Sequence, residues 1–303
     1  MTRTGGRNAS AGSDRSVAEA LDGSGDGIDA GTGARVRAPH VLMRLALRAA
    51  VLVLATGCAG DDEPLTPPPP PSSPPFAGTI FIDPDIITPA DPTTFENVSP
   101  AGQGMRTMFD RRVNAFISLN AFLFQATYED GLTVEVQVNP EFGTADAAGV
   151  QATKYARVIG YLPTALRRDV ETVWIHMGTE PFGGGNRNLL IHVGQADAYV
   201  ADGILEETLV HEAAHTSLDA MHAASSGWLA AQQADPTFIS TYARDNPARE
   251  DIAESFLPWL AVRHRSSRIS QALAETITRT IPNRLTYFDQ QNFDLFPMLP
   301  SGR

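Results

Sequence analysis

The chain is poor in cysteine, with Cys58 the only one among 303 residues, so no disulfide can form within it. Lysine is as scarce: Lys154 stands alone and arginine supplies the rest of the positive charge, a pattern closer to codon bias than to a binding device. Positive charge is in deficit overall, and a formal net charge of −12 does not favour nucleic acid as a partner. Long hydrophobic runs are missing too. The apolar stretch from Ala49 to Ala55 is too short to cross a bilayer as a permanent helix. No Gly-Lys-Ser/Thr follows the glycine-rich stretch Pro181-Phe182-Gly183-Gly184-Gly185-Asn186, which joins strand to strand, so a phosphate loop is excluded. No internal repeat is visible. What remains is a hydrophobic content of 43%, enough for one substantial core.

That content is unevenly spread. Residues 1–42 are rich in Gly, Ala, Ser and Asp without apolar periodicity, and read as a disordered or mis-assigned start, with Met43 an alternative initiator. Residues 43–57 combine a short basic beginning (Arg44, Arg48) with the apolar stretch and end in Thr56-Gly57, the pattern of a cleaved export signal. Leu54-Ala55-Thr56-Gly57-Cys58 resembles the lipobox of bacterial lipoproteins, which implies acylation at Cys58 and an exported, membrane-anchored protein facing the periplasm or the cell exterior. Residues 58–77, with prolines from Pro67 to Pro71, favour an extended polyproline spacer. An irregular extension is expected over 78–100 and a compact domain over 101–303.

Within that domain Thr133–Val138 alternates as a half-buried strand. Ala147–Gly160 and Thr164–Val170 carry helical spacing, and Thr172–His176 and Asn188–Val193 read as further strands. Gly203–Ala224 reads as one strong helix with Asp202 as its N-cap and an apolar side through Leu209, Val210, Ala213, Ala214, Leu218 and Met221.

That helix carries His211-Glu212-Ala213-Ala214-His215. Imidazoles four residues apart stack on one face, where a single Zn2+ takes a nitrogen from each at about 2.0–2.1 Å. Glu212 stands beside the first of them, placed to accept a proton from water activated at the metal. Chance occurrence of the motif is the competing reading, weakened by the apolar helix around it, since buried histidines without a partner cost desolvation.

A catalytic zinc typically keeps three protein ligands. His222 shares the face, but seven residues at about 1.5 Å rise put it roughly 10 Å beyond His215. The segment Asn246-Pro247-Ala248-Arg249-Glu250-Asp251-Ile252-Ala253-Glu254 suits better: Asn246 caps and Pro247 opens a second helix on which Glu250 and Glu254 share a face. Glu250 then joins the metal, and Glu254 accepts an N–H from a ligand histidine. A solvated acidic face is the alternative. Asp219, one turn past His215, either steadies a ligand or is solvated, and His192 is a candidate for the border of the cleft.

These stretches, with Ile239-Ser240-Thr241-Tyr242-Ala243-Arg244-Asp245-Asn246 and Pro282-Asn283-Arg284-Leu285-Thr286-Tyr287-Phe288, resemble the gluzincin zinc metallopeptidases, in particular the secreted bacterial group of the anthrax lethal factor catalytic domain. The similarity runs from about Leu205 to Gln290. It implies zinc on His211, His215 and Glu250, Glu212 as general base, Tyr242 at the oxyanion or leaving group, and Glu254 behind the ligands. It further implies an α+β zincin-like domain, with a small twisted sheet, a backing helix, the metal helix and a helical C-terminal part, acting on protein or peptide substrates. The other class compatible with the sequence is a lipid-anchored binding or scaffold protein with a structural or inactive zinc site.

Overall fold

The computed structural model describes residues 71–300, together with Pro69 and the two-residue strand β1 (Ala34–Arg35). The export signal and Cys58 lie outside the described residues. The described chain is α+β: a mixed six-stranded sheet with ten α-helices. None of these helices is long and apolar enough to cross a membrane.

β1 pairs in parallel with β2 (Ile80–Phe81), apart from the main sheet. The main sheet has the order β3-β4-β5-β6-β8-β7. β3 (Phe95–Asp110) and β4 (Ala115–Tyr128) form a long antiparallel hairpin, and β5 (Thr133–Val138) pairs antiparallel with β4. β6 (Thr172–His176) and β8 (Asn188–His192) continue in parallel, and β7 (Gly183–Gly185) closes the edge antiparallel to β8. The domain boundary expected at residue 101 falls inside β3. Pro100, Gly102 and Gly104 break that strand's alternation, and the structure absorbs them as a register shift between Pro100 and Gln103.

Alternation then divides the sheet into two faces. Val134, Val136, Val173, Ile175, Leu189 and Ile191 point into the main core, whereas Trp174 joins Met108, Ala121 and Leu123 on the other side. α1 (Ala145–Ile159) covers the core face through Ala148, Ala152, Tyr155 and Ile159. It is capped by the Thr144 hydroxyl, which accepts from the Ala147 amide. α2 (Thr164–Arg167) and α3 (Val193–Asp202) lead to α4 (Leu205–Ser217), which lies between the sheet edge and α8 (Asp251–His264). The expected helix 203–224 is thus two: α4 stops at Ser217, Leu218 breaks the run, and α5 (Asp219–His222) follows. Asp202 ends α3 rather than capping α4, because Gly203 adopts φ 68° and turns the chain there. α6 (Ser226–Ala234), α7 (Thr241–Asp245), α9 (Gln271–Thr280) and α10 (Pro282–Asp289) complete the helical C-terminal part.

The extension 78–100, expected to run irregularly at the domain's edge, ends in β3 from Phe95 onward, and the chain before it has little regular structure but is not peripheral. Phe76, Ile80, Phe81, Ile82, Ile86 and Ile87 are all buried in the main core. Irregular chain can enter a core only if its amides find acceptors, and these do so on buried carboxylates of α4 and α8.

Candidate metal site

α4 is almost wholly buried, because apolar residues occupy its flanks and β7 is pressed onto it. A Cβ on Gly184 would stand 1.8 Å from the carbonyl oxygen of Glu212, so only glycine fits at that contact. The Gly185 amide donates to the Thr216 hydroxyl at 2.8 Å, tying edge strand to helix.

His211 and His215 project from one side of α4 with ring centroids 4.8 Å apart and planes at 80°. Their Nε2 atoms are separated by 3.1 Å, and Glu250 Oε2 lies 3.2 Å from the first and 3.1 Å from the second. Three donors at about 2.0–2.2 Å from a tetrahedral ion would stand roughly 3.3 Å apart, so the triangle has the dimensions that two imidazoles and one carboxylate adopt around a metal. Among the described residues this is the one group of three or more His, Cys, Asp or Glu side chains so gathered.

Each imidazole is backed by a carboxylate. Asp219 Oδ2 lies 2.7 Å from His215 Nδ1, so this carboxylate steadies a ring as one of its two expected roles required. Glu254 Oε1 lies 3.5 Å from His211 Nδ1, within ion-pair range. The other oxygen of Glu254 accepts from the Ser240 hydroxyl and from the Ile80 amide at 3.1 Å. Burial alone would raise the Glu250 carboxyl, but the imidazoles of His211 and His215 hold it well below the usual carboxylate range. Burial likewise pulls both histidines down, yet the bond to Glu250 keeps His211 above its ordinary value, and Asp219 with Glu250 lifts His215 well above. Burial pushes Glu254 up to about 7 against the opposing pull of His211.

Glu212 is buried and follows His211 directly on α4. Its charge is felt by His211, Tyr199 and Tyr242. The Tyr242 hydroxyl hydrogen-bonds Glu250, and burial, followed by the Glu250 charge, raises its pKa. His211, His215, Glu250, Asp219, Glu254 and Tyr242 therefore gather at one place with Glu212 on the same helix turn, whereas Cys58 lies outside the described residues.

The route to Glu250 differs from the expected one. Asn246 terminates α7, residues 247–250 form turns, and Glu250 itself is the N-cap of α8, with no side-chain bond to that helix's amides. Asp251, the next residue, anchors the helix start by accepting from Arg284 Nε at 2.8 Å and Gln232 Nε2 at 2.9 Å. Arg284 also donates to Asp235 at 2.9 Å, a fully buried triad that sequence spacing does not announce.

Two other histidine groups stand apart. His222 bonds Tyr287 at 2.7 Å and takes no part in the triangle. His192 is wholly buried, stacked on His176 with centroids 5.5 Å apart near Asp110 and Glu180, so it does not border an open cleft. A cavity of about 540 Å3 lies elsewhere, between Trp259, Phe288 and Phe293. Of its two carboxylates, Asp289 is already bound to Trp259 Nε1 and Arg263 and Asp294 accepts from the Phe296 amide, and no predicted site residue lines it.

Comparison with protein-family models, curated proteins and solved structures returned no match.

Proposed function

We propose that this protein is a zinc-dependent endopeptidase of the zincin type, exported and held at a membrane by lipid on Cys58. The observation that carries the enzyme reading is the His211–His215–Glu250 triangle, with the buried Glu212 next to His211 on the same helix. The donor set fits Zn2+: two neutral imidazoles, one carboxylate and room in a tetrahedron for one further oxygen. Zinc bound there would supply Lewis acidity to the scissile carbonyl and lower the pKa of water toward about 7.

The residues around it divide the remaining work. Asp219 and Glu254 fix the imidazoles from behind, so that each presents Nε2 to the metal. Glu212 takes the proton from the attacking water as its oxygen adds to the carbonyl carbon, and returns that proton to the amine as the C–N bond breaks. The Tyr242 hydroxyl, its pKa raised, stays protonated at neutral pH and turns its one proton from Glu250 to the carbonyl oxygen as negative charge develops there.

The test uses purified residues 59–303. Zinc per chain is measured first, then cleavage of a peptide library by wild type and Glu212→Gln. One zinc per chain, cleavage by wild type and loss of about 10²–10⁴ in rate for the variant are expected. Equal cleavage, or none, by both metal-loaded proteins refutes the assignment.

A further inference from the structure

We infer that residues 76–86 are a positioning strap whose main-chain amides orient the carboxylates behind both ligand-bearing helices. The inference rests on the metal reading above. On the α8 side, the Ile80 amide donates to Glu254 Oε2 at 3.1 Å, leaving Oε1 turned toward His211 Nδ1. On the α4 side, the Ile82 amide donates to Glu207 Oε2 at 2.8 Å and the Ile86 amide to Oε1 at 3.4 Å, one helical turn before His211. The strap also holds the start of α7, which carries Tyr242: Phe76 bridges Ser240 in parallel, the Thr241 amide donates to the Phe76 carbonyl at 2.9 Å, and the Gly78 amide donates to the Thr241 hydroxyl at 2.8 Å.

One segment therefore touches α4, α7 and α8, the three elements that present His211, Tyr242 and Glu250. Glu207 and Glu254 are each 1% exposed, so neither has water to replace these donors. A buried carboxylate whose donors are fixed has a fixed orientation; without them it turns toward whatever proton or cation lies nearest. The buried side chains of Ile80, Phe81 and Ile82 keep the amides in register, and Ser240 doubles the grip on the same oxygen of Glu254. The strap supplies no ligand and touches no substrate; it acts through Glu254 and Glu207.

Coupling of this kind is reciprocal: a strap that holds the ligands must be held by the metal. Amide exchange of the wild-type chain is therefore compared with and without zinc, alongside zinc affinity of Ile80→Pro, which removes the N–H, and Ile80→Ala, which removes only the side chain. Zinc is expected to slow exchange of the Ile80 and Ile82 amides more than that of amides in α9. Ile80→Pro is expected to bind zinc about 10- to 100-fold more weakly than Ile80→Ala, with a shifted Co2+ absorption spectrum. Unchanged exchange at Ile80 overturns the proposal even where the proline variant does not fold, and so do equal affinities of two folded variants. A wild-type chain that takes up no zinc overturns the metal reading and the strap with it, whereas normal uptake with an indifferent strap overturns the strap alone.

Discussion

Replacing Gly184 by alanine tests whether the edge strand sets the position of α4. The added methyl would stand 1.8 Å from the Glu212 carbonyl oxygen, 2.6 Å from its carbon and 2.9 Å from its Cα. Heavy atoms pack comfortably at about 3.5 Å, and no side-chain rotation relieves a clash with backbone. Either β7 lifts from α4 or α4 moves at Glu212. Lifting stretches the Gly185 amide from the Thr216 hydroxyl, a bond worth about 1 kcal/mol, and overpacking adds about 1–3 kcal/mol. The total of about 2–4 kcal/mol corresponds, for a domain of this size, to a melting point lower by about 4–16 °C. A shift of Glu212 by about 1 Å would in addition cost roughly 10²-fold in kcat/KM. Gly183→Ala is the control, because its methyl is crowded by the flexible end of the Arg111 side chain, at 2.9 Å, and otherwise meets Leu190 Cβ at an ordinary 3.5 Å. Thermal denaturation followed by circular dichroism, with peptide cleavage at one temperature, reads both effects. If Gly184→Ala melts and cleaves like Gly183→Ala, the close contact between β7 and α4 has been misjudged.

Four further outcomes follow from the same geometry. Glu250→Ala removes one corner of the triangle and should abolish stoichiometric zinc while leaving the circular dichroism spectrum of a folded chain; retention of one zinc per chain would assign the metal to other residues. Asp219→Asn weakens the carboxylate grip on His215 Nδ1 and should cost about 10- to 100-fold in zinc affinity, read by chelator competition. Arg284→Met leaves Asp235 and Asp251 buried without their shared cation, and urea unfolding should show a loss of about 3–5 kcal/mol, a smaller loss meaning that the triad is not needed to anchor α8. Burial lowers the pKa of His176 from 6.5 to about 4, so between those values the unfolded chain binds a proton that the native state refuses. Stability should therefore fall by about 3 kcal/mol as pH drops from 6.5 to 4 and level off below. His176→Asn should remove that part of the slope in urea titrations across this range.

How far the sequence could be read depended on where side chains carried the information. β5, α1, β6 and β8 lie close to their expected bounds, since alternation of Val134, Val136 and Val138 or helical spacing of Ala148, Ala152 and Tyr155 is a direct imprint of a buried face. The imidazole pair and the choice of Glu250 and Glu254 were legible because i, i+4 spacing fixes a shared helical side without any tertiary knowledge. β7 was not, because three glycines have no pattern; its role is to have no side chain where α4 passes. The break at Leu218 left no breaker residue to read, since an ordinary leucine occupies it. The strap escaped for another reason. Its apolar residues are separated by prolines and acids and follow neither period, and the acceptors for its amides lie more than a hundred residues away on Glu207 and Glu254.

Helix construction departs from its local rule at one position that carries the proposed chemistry. Glu250 occupies an N-cap yet its side chain caps nothing, being drawn instead to two imidazoles. α4 has no side-chain cap at Ile204, and neither have α2, α3, α5 and α10, whereas α1, α6, α7 and α9 are each capped by a Ser or Thr hydroxyl, so the misplaced cap at Glu250 is the feature that sets the ligand helices apart. Around these two helices the chain buries Glu207, Glu212, Glu250, Asp251 and Glu254. Hydrophobic residues of similar volume at such sites are often as stable as a buried ion pair, or more so, so stability alone does not account for five buried carboxylates beside two histidines. The carboxylates are arranged in order outward from the triangle: one oxygen of Glu250 in it, Glu254 and Asp219 behind the rings, Glu207 and Asp251 fastening the helices to the strap and to Arg284. Such layering raises the electron density of the imidazoles and fixes their direction, two properties a metal ligand needs and a packed core does not.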